Sequence, residues 1–188
     1  IYMARKLFQR HDEASQCLRR KKLQARISEK KTAFPTIQQI CSSIRKKYEY
    51  RSDKEVYEIL VPNGIEDILA EGECLKHCID VNNLYLQRIA DRETYILFLR
   101  KKENPMQPYF TLEVEPNGTV RQKSTYYNRQ EKNMDEINQF LKRWQRVIQK
   151  RLSKQDKLWT EESQRKREEE YLQLRKEKKI IFAGNYNG

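Results

Sequence analysis

The pentapeptide Glu115-Pro116-Asn117-Gly118-Thr119 constrains this chain more than any other stretch. Proline suits the second position of a type I turn, and glycine can take the left-handed position of the bulge that follows. Before it, Tyr109–Glu115 alternates, with Phe110, Leu112 and Val114 on one face and Thr111, Glu113 and Glu115 on the other. A three-residue loop predicts a hairpin in which Val114 faces Val120, Glu113 faces Arg121 and Thr111 faces Lys123. That register pairs apolar with apolar and acid with base. A two-residue Asn-Gly turn would set Val114 against Arg121 and Leu112 against Lys123, which is worse. The preferred register also puts Gln122 on the apolar face with Leu112, where its amide needs a partner.

The hairpin needs a sheet around it. Val56–Val61, just before Pro62, reads as a strand, and Thr94–Arg100 is apolar enough for a central strand covered on both faces. Ile65–Leu69 reads as a short helix ended or bent by Gly72, and a further helical stretch covers Cys74–Ile89. Upstream, residues 1–31 form one helix with a thin apolar stripe of Leu7, Leu18, Leu23 and Ile27. A second helix follows Pro35, with Ile37, Ile40, Cys41 and Ile44 at buried-stripe spacing. Downstream, Asp135–Leu152 is amphipathic, its stripe made of Ile137, Phe140, Leu141, Trp144, Val147 and Ile148. Glu161–Lys178 forms a final charged helix, Glu168–Glu170 preceding Arg175–Lys179 in the order that suits helix ion pairs. The tail Ala183–Gly188 is expected to be loose. The predicted class is α+β, a small antiparallel sheet of about four strands flanked by long basic helices at both ends. The divisions fall at 1–51, 52–131 and 132–188.

Charge follows the same divisions. The 188 residues hold 39 Lys and Arg against 27 Asp and Glu, a net +12. The balance is +7 in residues 1–31, +3 in 32–51, −4 in 52–131, +5 in 132–154 and +1 in 155–188. Basic flanks around a slightly acidic middle suit a polyanion, because bound phosphates release counterions. Arg19, Arg20, Lys21 and Lys22 are the densest basic cluster, and Arg143, Arg146, Lys150 and Arg151 line the polar side of the amphipathic helix. Arg121, Lys123, Tyr126 and Tyr127 interleave cations with rings able to stack on bases. The competing reading is a solvated basic surface, with the two tyrosines capping the sheet edge. No run of about 18 apolar residues exists to span a membrane. Four cysteines and no signal-peptide pattern point to a reducing cytoplasm. A chain that opens at Ile1 as if in mid-helix reads as a piece of a longer protein.

For chemistry the sequence offers one cluster. It has no phosphate-cradling Gly-rich loop, no His-Glu-x-x-His pair and no Gly-x-Ser-x-Gly elbow. Its two histidines are His11 and His77. His11 reads as a surface residue of the basic helix. In Cys74-Leu75-Lys76-His77-Cys78 a zinc site would lack a fourth ligand, so no metal and no cofactor is expected. Adjacent helical positions diverge by about 100°, so His77 and Cys78 do not pair directly. Either can face the sheet and meet Glu113 or Gln122, giving an acid–base pair with a Gln to orient a polar substrate. The alternative is a buried His and Cys at a helix–sheet junction, with Gln122 satisfying a ring nitrogen.

These residues carry a resemblance. The order Gly72-Glu73-Cys74-Leu75-Lys76-His77-Cys78-Ile79, an apolar strand, Pro108-Tyr109-Phe110-Thr111-Leu112-Glu113-Val114, Gly118 and then Gln122 resembles the PcfJ-like family. Leu75, His77, Cys78, Thr111, Glu113 and Gln122 match its pattern over about residues 55–130. Lys76 departs from the second His that members often carry, and Asp80 and Val81 stand where many have Gly. The resemblance implies a part in conjugation or another mobile-element process, with possible conjugation-complex partners. Three functions are therefore expected in turn. The first is a cytosolic mobile-element accessory binding DNA or RNA through its basic helices. The second is an enzyme with a His77, Cys78, Glu113 and Gln122 pocket acting on a nucleotide or nucleic acid. The third is a protein–protein module of a transfer complex.

Overall fold

The computed structural model describes residues 2–76, 83–128 and 131–177. Two helices open it, α1 (Tyr2–Ala33) and α2 (Ile37–Tyr48), and β1 (Tyr57–Leu60), α3 (Ile65–Leu75) and α4 (Leu84–Ala90) follow. Then come β2 (Tyr95–Lys101), β3 (Phe110–Val114), β4 (Val120–Ser124), a single 3-10 turn at Tyr126–Asn128, α5 (Met134–Gln149) and α6 (Lys154–Lys176). The strands form one antiparallel sheet in the order β1-β2-β3-β4. The chain is α+β, as its patterning predicts.

One face of the sheet is apolar because the alternation puts Tyr95, Leu97 and Leu99 beside Val114, Leu112 and Phe110, with Ile59 of β1 in the same layer. The stripe of α2 (Ile37, Ile40, Cys41, Ile44, Tyr48) and that of α5 (Ile137, Phe140, Leu141, Trp144, Ile148) are buried in the same core. Tyr48 meets Tyr95 edge-on at 5.3 Å between ring centres, and Trp144 Nε1 donates to the Tyr48 carbonyl at 2.9 Å. These contacts tie the C-terminal end of α2 to β2 and to α5. The first helix is one continuous element, and its Ile27 joins the core.

The turn forms as predicted, but the register beyond it does not. Gly118 is left-handed at φ 86°, its N–H donating to the Glu115 carbonyl at 2.8 Å, and Glu115 N–H closes on Thr119 at 2.9 Å. Val114 faces Val120. A bulge then intervenes, so that Glu113 faces Gln122, Leu112 faces Lys123 and Thr111 faces Ser124. Arg121 is the extra residue. The predicted Glu113–Arg121 and Thr111–Lys123 pairs do not form, and Gln122 stands on the polar face, exposed, instead of beside Leu112. The physical reason lies in the helices. Lys123 can lay its stem toward α5, where Nζ donates to Asn138 Oδ1 at 2.7 Å, while Arg121 reaches Glu115 at 2.8 Å.

Three other boundaries shift. Gly72 does not end α3: it is buried inside the helix, which stops at Leu75 with Lys76 left-handed at φ 54°. The stretch Cys74–Ile89 is not one helix, since α3 ends at Leu75 and α4 begins at Leu84. The last helix starts at Lys154 rather than Glu161. A capping box sets that start, Ser153 accepting from the Asp156 N–H and Asp156 from the Ser153 N–H. No helix among the described residues is long and apolar enough to cross a membrane.

Candidate functional site

The second sheet face mixes charged and polar groups with apolar ones, and three of the family-like residues, Thr111, Glu113 and Gln122, lie on it. Ile96, Glu113 and Gln122 form one cross-strand row, and Leu60, Phe98, Thr111 and Ser124 form the next. Glu113 is buried, yet its Oε1 accepts from Arg167 Nη2 of α6 at 2.5 Å and from the Thr94 hydroxyl at 3.3 Å. Gln122, across the strand, accepts from the Tyr85 hydroxyl of α4 at 3.2 Å and donates to Ser124 Oγ at 3.2 Å. Burial pushes the Tyr85 phenol up, and the nearby Glu113 carboxylate adds to the rise. The bulge thus brings two of the four predicted catalytic residues together. The other two, His77 and Cys78, lie outside the described residues, as does the tail 183–188.

Thr111 serves a second charged group that sequence reading missed. Glu71 of α3 takes a bidentate pair of hydrogen bonds from Arg100, at 2.8 and 2.5 Å, and Thr111 also hydrogen-bonds it. Both partners are buried. Burial pushes the Glu71 carboxyl above its usual value against the opposing pull of Arg100 and Thr111. Glu71 and Arg100 are 29 positions apart, so no local spacing announces the pair.

The predicted basic contacts divide by what already holds them. Arg19, Arg20, Lys21 and Lys22 are exposed on α1 and make no ion pair with any described residue. Arg146 on α5 and Lys150 at its C-cap are likewise exposed and unpaired among the described residues, and Lys142 extends them into an i, i+4, i+8 row. Arg143 instead grips Glu55 through two bonds of 2.7 and 2.8 Å, lowering the pKa of that carboxyl. Arg151 donates to the carbonyls of Lys46, Lys47 and Glu49, closing the C-terminal end of α2. Arg121 and Lys123 are held by Glu115 and Asn138.

Tyr126 and Tyr127 are both exposed, their rings edge-on at 4.6 Å. Tyr127 keeps a left-handed backbone at φ 49°, uncommon for an aromatic residue. A cleft of about 620 Å³ opens beside Tyr126, lined by Leu75, Lys101, Tyr109 and Thr125. Glu103 and Glu131 also line it and leave it without the basic excess that a phosphate needs. Of the described thiols, Cys74 is exposed, and Cys41 is buried with its pKa pushed up to about 11 by that burial. Among the described residues no three His, Cys, Asp or Glu side chains are grouped to hold a metal ion.

Comparison with known proteins places the chain in a family. The pattern described as PcfJ-like protein covers residues 2–141, and the chain belongs to that family. The match is wider than the 55–130 stretch from which the resemblance was read, taking in α1 and α2 as well as the sheet and part of α5; α6 lies beyond it. The chain is also similar to the uncharacterised protein Lin1253/Lin1744 of Listeria innocua, at 29% identity over 122 residues. That alignment covers 65% of this chain and 24% of the relative, so the chain spans about a quarter of that protein's length. No solved structure matches.

Proposed function

We propose that the chain is a cytoplasmic accessory of a conjugative or other mobile element that binds nucleic acid through its basic helices. The observation that carries this reading is the cluster Arg19–Lys22, four consecutive exposed cations with no carboxylate partner among the described residues. Unpaired cations have no ion pair to break before they meet a phosphate. The row Lys142, Arg146 and Lys150, along α5 to its C-cap, offers a second set. Phosphate contacts of this kind give affinity and salt dependence without base specificity. The enzyme reading has less support, because Glu113 already accepts from both Arg167 and Thr94.

The test is binding of the full chain to a labelled oligonucleotide, single-stranded and duplex, across a salt series. The reading expects affinity to fall as salt rises. It also expects the quadruple replacement of Arg19, Arg20, Lys21 and Lys22 by Ala to reduce the slope of log K against log salt, by up to about one unit per lost contact. Affinity indifferent to salt, or a quadruple variant indistinguishable from the parent, overturns it.

A further inference from the structure

Helix α6 lies beyond the residues that the family pattern covers, and it is held in an unusual way for a 23-residue helix. Its buried residues are Asp156, Thr160 and Ser163, all polar, while Trp159 and Leu174 are only half-buried. Ions and hydrogen bonds do the docking. Glu93, Glu113 and Glu115 are 9%, 7% and 5% exposed, and they gather where β2 begins and β3 ends. Lys166 Nζ meets Glu93 at 2.8 Å, Arg167 meets Glu113 at 2.5 Å and Gln164 Nε2 donates to Glu115 at 2.8 Å. Ser163 Oγ donates to the Glu93 carbonyl at 2.7 Å. Farther along, Arg88 of α4 reaches back to Glu170 at 2.6 Å.

A row of carboxylates that takes an ammonium and a guanidinium side by side presents the same acceptors as consecutive phosphates, and arginine grips both groups in one fork geometry. Exchanging one anion for the other conserves the ion pairs, and no buried apolar side chain of α6 has to leave the core. Arg165, turned outward, is already neutralised on its own helix by Glu162 and Glu169. The two cations aimed at the sheet are the ones a competing polyanion would gain.

We infer that Lys166 and Arg167 form a second polyanion-binding site on α6, masked in the free protein by Glu93 and Glu113. The inference rests on the nucleic-acid reading above and names a regulation of it. Nucleic acid held on the open clusters draws α6 off the sheet, and this adds two phosphate contacts while uncovering Glu113.

The experiment has two arms, both on the full chain with a labelled single-stranded oligonucleotide. In the first, amide exchange across residues 160–176 of the wild type is followed with and without saturating oligonucleotide. Release predicts faster exchange in this helix on binding, and exchange that is unchanged or slowed overturns the masking. In the second, Glu93→Gln and Glu113→Gln are combined, which unmasks Lys166 and Arg167. Tighter binding is expected, with a salt slope steeper by about two, one unit per added cation. Adding Lys166→Ala and Arg167→Ala must abolish that gain, whereas a gain that survives reflects net charge alone and overturns the site. If the double variant fails to fold, the exchange arm on the wild type still decides. The nucleic-acid reading fails separately: wild-type binding indifferent to the Arg19–Lys22 replacements sinks that reading, while a gain dependent on Lys166 and Arg167 still supports the α6 site.

Discussion

Arg167 of α6 and Glu113 of β3 meet across 54 residues of sequence, guanidinium to carboxylate at 2.5 Å, with Glu113 buried and Arg167 nearly so. The contact joins a residue of the family pattern to a helix outside it. It also spends one oxygen of the carboxylate that sequence reading had reserved for acid–base work.

Removing one partner is therefore expected to cost more than removing both. Arg167→Ala leaves a buried carboxylate without its cation and should destabilise the fold by about 2 kcal/mol, below the 3–5 typical of a fully buried pair because α6 is partly solvated. Glu113→Gln combined with Arg167→Met should recover more than half of that loss. Urea unfolding of the single and double variants measures both, and a double variant as unstable as the single one refutes the coupling.

The Arg100–Glu71 pair sets a harder limit. Both side chains are almost sealed from solvent. Arg100→Met should cost about 3–5 kcal/mol by stranding Glu71, while Glu71→Leu with Arg100→Met should be far milder. Thermal denaturation followed by circular dichroism separates the two outcomes.

The turn yields a prediction about shape. A Cβ on Gly118 would lie 2.9 Å from Ile148 Cγ2, and the backbone there is at φ +86°. Gly118→Ala should cost about 2 kcal/mol, part steric and part conformational. Adding Ile148→Val relieves only the contact, so the double variant should remain less stable than Ile148→Val alone. The same urea titration checks this.

Asp156 makes acid stability depend on α6. Burial alone would raise its pKa, but hydrogen bonds from Lys47 and from the Ser153 side chain and backbone prevail, and it sits below the 3.8 of an unperturbed aspartate. A depressed carboxyl contributes stability that is complete above the unfolded pKa and is lost as pH falls through the folded one. Wild type should therefore lose stability relative to Asp156→Asn as pH drops below about 4, while above that the wild type stays the more stable by about 1 kcal/mol or more. Melting curves between pH 7 and pH 2 give the comparison, and parallel curves would refute it.

The cysteines supply a chemical readout. Cys74 is exposed, whereas Cys41 is buried with its thiol raised to about 11. Alkylation of the folded chain at pH 8, read peptide by peptide in a mass spectrometer, should modify Cys74 at least about a hundredfold faster. In denaturant the two rates should converge.

Much of this architecture is legible in the chain. Helix stripes such as Ile37–Ile44 and Ile137–Ile148 repeat at 3.6, the Pro116–Gly118 turn dictates a hairpin, and Tyr95–Arg100 reads as a central strand, because local spacing determines each of them. The β3–β4 register is not local. Whether Arg121 or Gln122 stands opposite Glu113 depends on Asn138 and Arg167, which arrive from helices later in the chain. The early start of α6 was readable, since Ser153 and Asp156 have capping-box spacing. Glu71 was not, because its partner Arg100 lies on a strand two elements away. Of the candidate site, sequence supplied Glu113, Gln122 and the open Arg19–Lys22 cluster. It gave no sign that α6 closes over the first of these.

The four-strand order leaves β1 and β4 as the two borders of the sheet. At β1 the main chain is partly engaged on the side away from β2, through the Tyr50–Ile59 bridge, whose two N–H groups donate at 3.1 and 2.9 Å. At β4 no further strand follows among the described residues, and the strand reads Val-Arg-Gln-Lys-Ser with a bulge at Arg121. Two cations and an irregular backbone on an open border discourage a second copy from adding its own strand there. The bulge that brings Gln122 beside Glu113 thereby also protects the molecule from edge-to-edge aggregation.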